Sequence, residues 1–209
     1  MKISIVTVGS LLLLGVSMSS FGSDQIPQVQ LEMQKVYKNC QLTRNQLYAD
    51  YNKKFTSRNG MIGQENQIAK RMMTNKVEEL HDTAYEEFFS KNKGFNKFLC
   101  KLITVNEVSY GIGKPVYRTS FDCGGGLKFG NPGYRDWANP KNNGKYDIRE
   151  DSPLLEPLSM LGYNQPALIS GNFIIYEKPT KKQLVDRHNP FLSGDVQVQF
   201  TEIIPLDKK

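Results

Sequence analysis

The spacing of apolar residues changes its period once along this chain, at Lys91-Asn92-Lys93-Gly94, and that change divides what can fold on either side. From Gln28 to Phe89 the spacing is helical. Val29, Met33, Val36 and Cys40 share one face, and Leu47, Tyr51 and Phe55 follow at steps of four. Thr43-Arg44-Asn45-Gln46 fits a capping box and predicts a helix start, while Asn59-Gly60 predicts a stop. A second helix is predicted from about Gln64 to Phe89. Its stripe is Ala69, Met73, Lys76 or Val77, Leu80, Ala84 and Phe88, widened by Ile68 and Met72. A methionine-rich stripe of this kind packs a core rather than holding a cofactor. Glu78, Glu79, Asp82, Glu86 and Glu87, with Lys70 and Arg71, read as the solvated side, and His81 as exposed or half-buried.

Beyond Gly94 the texture is that of a sheet. Phe98–Val108 and Val116–Cys123 flank a turn centred on Ile112, which predicts a hairpin. Folding it there brings Cys100 level with Cys123 to within a residue or two. Cross-strand Cβ atoms lie about 4.5–5.5 Å apart, close to what a disulfide needs. The expected bridge is therefore Cys100–Cys123 with Cys40 free, although spacing alone leaves Cys40 open as a partner for either. Residues 124–151 carry turn signals in succession: Gly124-Gly125-Gly126, Asn131-Pro132-Gly133, Asn139-Pro140 and Asn142-Asn143-Gly144. A short helix over Leu154–Leu161 and a strand over Gln165–Tyr176 are predicted next. A polar connection over Glu177–Asn189 follows, then a closing strand from Asp195 to about Ile203, where Val196, Val198 and Phe200 alternate with Gln197, Gln199 and Thr201.

This order of elements resembles the OB-fold, a five-stranded Greek-key barrel with an interposed helix. The run Leu158-Ser159-Met160-Leu161-Gly162-Tyr163-Asn164-Gln165-Pro166-Ala167-Leu168-Ile169-Ser170-Gly171-Asn172-Phe173 is similar to the short helix and glycine-bearing strand of exported OB-fold proteins in the tRNA_anti-like group. The resemblance covers about residues 98–204. It implies an OB-like antiparallel β-barrel over 94–209; the helices before it lie outside the resemblance, and with an N-terminal helical hairpin over 23–93, packed against or preceding the barrel, the expected class is α+β. The resemblance also implies binding rather than a defined reaction.

Met1-Lys2, an apolar run from Ile3 to Met18, and Ser20-Phe21-Gly22 make the three parts of a secretory signal with cleavage after Gly22. The run is broken by Thr7, Gly9, Ser10 and Ser17 and is shorter than the roughly 20 residues of a membrane span. The first cysteine is Cys40, so no lipid attachment point follows the run. The expected compartment is periplasmic or secreted, where a disulfide persists. The formal charge of +6 is spread along the chain, without the clustered basic patch that nucleic-acid binding uses.

Candidate chemistry is sparse. There is no Gly-x-Ser-x-Gly elbow, and the three cysteines and two histidines match no zinc pattern. Gly111-Ile112-Gly113-Lys114 lacks the rest of a phosphate loop and reads as a hairpin turn. No cofactor is expected. The stretch with binding character runs from Lys128 to Tyr146, where Phe129, Tyr134, Trp137 and Tyr146 interleave with Lys128, Arg135, Lys141 and Lys145. Aromatic faces with cations suit stacking on sugars and pairing with anionic groups. Phe129 and Trp137 can equally fold inward to anchor a long loop. The expected function is an exported binding or assembly module of the bacterial envelope, with an envelope protein or anionic glycan as partner. The alternatives are an accessory subunit of an envelope secretion or conjugation apparatus, and a hydrolase or redox enzyme using Cys40 or a histidine (His81 or His188).

Overall fold

The computed structural model describes residues 26–55, 67–109, 114–131, 146–174 and 190–206. The apolar N-terminal run, its cleavage point, Asn59-Gly60, Tyr134, Arg135, Trp137 and His188 lie outside them.

Helix α1 (Gln28–Phe55) and helix α2 (Gln67–Lys91) pack on each other. The expected capping box at Thr43 does not start a helix, because α1 runs through it unbroken. Nothing at Thr43 opposes helical backbone, and Cys40 and Leu47 lie two turns apart on one stripe. Gln46 reaches forward instead of back, its Nε2 donating to Asp50 Oδ1 at 2.8 Å. On α2 the buried stripe is Met73, Val77, His81, Phe88 and Phe89. Here the structure corrects two expectations. His81 is buried, and Ile68 and Met72 point outward at 75% and 59% exposure.

The strands are β1 (Gly94–Val108), β2 (Val116–Asp122), β3 (Lys128–Gly130), β4 (Ile148–Arg149), β5 (Pro166–Phe173) and β6 (Asp195–Pro205). Helix α3 (Leu155–Ser159) precedes β5 and helix α4 (Pro190–Ser193) precedes β6. Neighbours run β1-β2-β3-β6-β5 and return to β1, which closes a five-stranded barrel, with β4 added on the outer edge of β2. The expected α+β arrangement of a helical pair and a β-barrel is thus the architecture, but the barrel is mixed and not antiparallel. A closed ring with an odd number of strands cannot alternate direction throughout, so one pair must run parallel. That pair is β3–β6, in register at Lys128↔Asp195, Phe129↔Val196 and Gly130↔Gln197.

Aromatic side chains fill the interior. Phe95, Phe98, Phe129 and Phe173 pack with ring centroids 5.1–6.1 Å apart. Phe191 of α4 meets Phe88 and Phe89 of α2 at 5.7 and 5.8 Å. These contacts carry the core from the barrel into the helices. Leu158 of α3, also buried, belongs to the same core.

Two devices weld α1 to the barrel. The first is the side-chain amide of Gln30, 2% exposed. Its Oε1 accepts from Leu99 N at 2.9 Å, while its Nε2 donates to Leu99 O at 2.8 Å and Cys123 O at 2.9 Å. Strand β2 ends at Asp122, opposite Lys101, so Leu99 has no β2 residue to pair with. Gln30 supplies both halves of that missing backbone pair. The second is the turn Gly124-Gly125-Gly126, with φ of 79°, 64° and 87°, laid against Gln34 and Tyr37 of α1. A side chain at any of the three would face both a left-handed backbone and a Cβ contact near 3.0 Å. Between these devices Cys100 and Cys123 form the expected disulfide, with a Cα–Cα distance of 4.1 Å.

Gln30→Ala strands the N–H and C=O of Leu99, while Cys123 O keeps the bond from Gln34 Nε2 at 2.6 Å. The expected loss is about 3 kcal/mol, since each unsatisfied buried group costs roughly 1–3 kcal/mol. Urea unfolding of the disulfide-intact protein checks it, and a loss below about 1 kcal/mol would mean water replaces the amide.

Candidate functional site

The barrel interior is packed, so contact chemistry falls to its surface. A groove of about 270 Å³ runs over β2, β3 and β6, lined by Thr104, Arg118, Ser120, Lys128, Asp195 and Gln197 among others. Alternation along β2 sends Thr119 and Phe121 inward and leaves Arg118 and Ser120 on the groove side. On β6 the same alternation buries Val196 and Val198 and turns Gln197 out. The groove is of mixed charge, with Arg118 and Lys128 set against Asp195.

Asn131 closes one end of the groove. It follows β3 and is buried, its Oδ1 accepting from Thr119 N at 2.8 Å and its Nδ2 donating to Tyr117 O at 3.0 Å. The same Nδ2 lies 3.5 Å from Tyr146 O. One side-chain amide therefore extends the β2–β3 ladder and ties together the two ends of the segment between residues 131 and 146. That segment leaves and re-enters the fold beside the groove. Next to it, burial pushes the carboxyl of Asp147 above its ordinary range, against the opposing pull of Arg118 and Arg149.

The residues expected to bind divide. Lys128 is exposed and lines the groove, and Tyr146 is half-buried where the segment returns. Phe129 is wholly buried against Phe95, Phe98 and Phe173, so it anchors the segment and has no face for a ligand. Tyr134, Arg135 and Trp137 lie outside the described residues. Arg118, Ser120 and Gln197 were not among the expected site residues, yet the period-two pattern of β2 and β6 already marks them as outward.

A larger groove, about 660 Å³, lies between the start of α1 and an irregular corner of the barrel, lined by Val29, Phe95, Asn96, Ser170, Asn172 and Thr201 among others. Strand β1 bulges there and puts Lys97 at φ 52°. Ser170 Oγ accepts from Lys97 N at 3.0 Å and lies 3.1 Å from Asn96 Oδ1 and 3.0 Å from Glu202 Oε2. The hydroxyl serves the amide that the bulge displaces, and among the described residues no histidine lines the groove to make it a nucleophile.

Cys40 is buried and unbonded, and burial pushes its thiol above its ordinary value, the opposite of what a reactive thiolate needs. His81 is buried on α2 with Nδ1 2.6 Å from Val77 O. Neither lines a groove. Among the described residues no group of three or more His, Cys, Asp or Glu side chains could hold a metal ion. Comparison with protein-family models, with curated proteins and with solved structures finds no match.

Two outcomes follow. In the native protein Cys40 resists a thiol reagent and one thiol per chain titrates after denaturation; fast native labelling would contradict its burial. Asp147 holds its proton more tightly folded than unfolded, so native stability falls as pH rises out of the ordinary carboxylate range near about 4. Asp147→Asn removes that slope. Relative to the parent it is more stable at neutral pH than at the acid end of that range, as urea midpoints at the two pH values would record; equal shifts at both would refute the assignment.

Proposed function

We propose that this protein is an exported binding or assembly module of the bacterial envelope, with the β2–β3–β6 groove and the bordering 131–146 segment as its contact surface. The observation that carries the reading is the strand order β1-β2-β3-β6-β5 with its parallel closing pair. It agrees with a five-stranded Greek-key barrel of the OB kind, whose ligands lie over its second and third strands, and this groove lies over β2 and β3. The resemblance of residues 158–173 to exported tRNA_anti-like OB-fold proteins agrees with it.

The ligand class that suits the surface is an anionic glycan. Arg118 and Lys128 offer cations, and Ser120, Gln197 and Thr104 offer hydrogen bonds; the sequence between 131 and 146 adds Trp137, a residue type that stacks on sugars. A nucleic-acid ligand fits less well, because Asp195 and Asp147 set carboxylates beside the cations. A Cys40 hydrolase or redox enzyme has little support, given a buried thiol of raised pKa. Export, with cleavage near Gly22, is consistent with the Cys100–Cys123 bridge, which an oxidising compartment preserves.

Titration with uronic-acid or sulfated oligosaccharides tests the reading. Lys128→Ala and Trp137→Ala each weaken binding about tenfold or more, the scale of a lost charged hydrogen bond or stacking face, while the melting temperature stays unchanged. A large fall in stability of Trp137→Ala would make that residue a loop anchor. No binding by the parent protein would remove the glycan reading.

A further inference from the structure

The helical pair carries a second surface, at the end far from the barrel. Past Cys40 none of the described α1 side chains is buried, and on α2 none is buried before Met73. The fifteen residues of α1 after Cys40 reach about 22 Å at 1.5 Å per residue. This half of the pair is held by helix-to-helix packing.

Its charge is segregated. Among the described residues from Leu42 to Val77 there are six cations (Arg44, Lys53, Lys54, Lys70, Arg71 and Lys76) and one anion, Asp50. From Glu78 onward α2 reverses sign, with Glu78, Glu79, Asp82, Glu86 and Glu87 before Lys91. The acidic half is the one nearer the barrel. Lys53, Lys54, Lys70, Arg71 and Lys76 are all exposed.

Apolar side chains stand among these cations. Leu42 and Met72 are each 59% exposed, Ile68 is 75% and Tyr48 is 42%. Ile68, Met72 and Lys76 follow one another at steps of four, so two apolar side chains and a cation share one stripe of α2. Burial against the rest of the fold explains none of them.

We propose that the far end of the helical pair docks on a bilayer surface rich in anionic phospholipid. Lysine and arginine side chains there meet lipid phosphates, while Ile68, Met72 and Tyr48 enter the headgroup boundary. The apolar side chains separate this occupant from a nucleic acid or an acidic protein, because a polyanion alone leaves them in water. The contact is superficial, since no described helix is long and apolar enough to cross a membrane. The acidic half of α2 would be repelled by the same surface, which leaves only the tip in contact and holds the barrel away from the bilayer.

Co-sedimentation of the full chain with vesicles is the test. Vesicles containing phosphatidylglycerol capture the protein, vesicles of phosphatidylcholine alone do not, and high salt releases it. The variant K53Q/K54Q/K70Q/R71Q lowers the partition coefficient roughly a hundredfold, since each basic residue near an anionic surface contributes several-fold. The variant I68S/M72S lowers it about tenfold at unchanged charge. All six side chains are exposed, so circular dichroism of both variants should match the parent. Equal capture by the two vesicle types, or capture that survives the four-fold charge substitution, would overturn the proposal and place binding on the apolar N-terminal run. Failure to sediment with either vesicle, combined with charge-dependent binding to a duplex DNA probe, would overturn it in favour of another polyanion.

Discussion

Everything else in the fold depends on what happens where β1 and β2 part. Two antiparallel strands that separate leave unpaired backbone groups, and those groups are buried here. Gln30 takes up the N–H and C=O of Leu99 together with the C=O of Cys123, and the disulfide fastens the same point covalently. A side-chain amide has one donor end and one acceptor end, as a peptide group does, so it can stand in for a residue of the missing strand. The consequence is that α1 is part of the barrel's hydrogen bonding. It is not an appendage to it.

With that corner sealed, the remaining architecture is a matter of closing a tube. The ring of five strands requires one parallel pair, and the short β3 supplies it against β6. The helices close the tube around Phe88, Phe89 and Phe191, and Phe121 and Phe200 stack inside it at 5.5 Å. With the described interior filled in this way, the proposed contact surfaces are the outer face of β2, β3 and β6 and the exposed end of the helical pair. The two surfaces differ in kind. The groove is small, mixed in charge and framed by fixed strands, as suits recognition of a discrete ligand. The helical tip is basic and apolar, as suits an extended anionic surface.

How much of this could be read in the sequence depends on element length. The long helices, the hairpin and the closing strand announce themselves because they repeat a period several times, and the hairpin register placed Cys100 opposite Cys123. Strands β3 and β4, of three and two residues, are too short to show any period, so the parallel closing pair was invisible within a run of turn signals. Gln30 and His81 were missed for a different reason. A polar residue on a buried face breaks the apolar stripe, and only its partners reveal why it belongs there. Ile68 and Met72 failed in the opposite direction, since apolar identity alone put them on the buried stripe when α1 has no surface to cover them. Phe129 anchors and Lys128 lines the groove, a division between neighbours that strand alternation implies but composition hides.

Native-state hydrogen exchange at the Leu99 amide tests the central claim most directly. If Gln30 completes the barrel, this amide, lying where no β2 partner exists, exchanges only through global unfolding, at the same free energy as the core amides of β5 and β6. Exchange through a low-energy local opening, with the barrel core still protected, would show that α1 detaches freely and that the helices and the barrel are separate units.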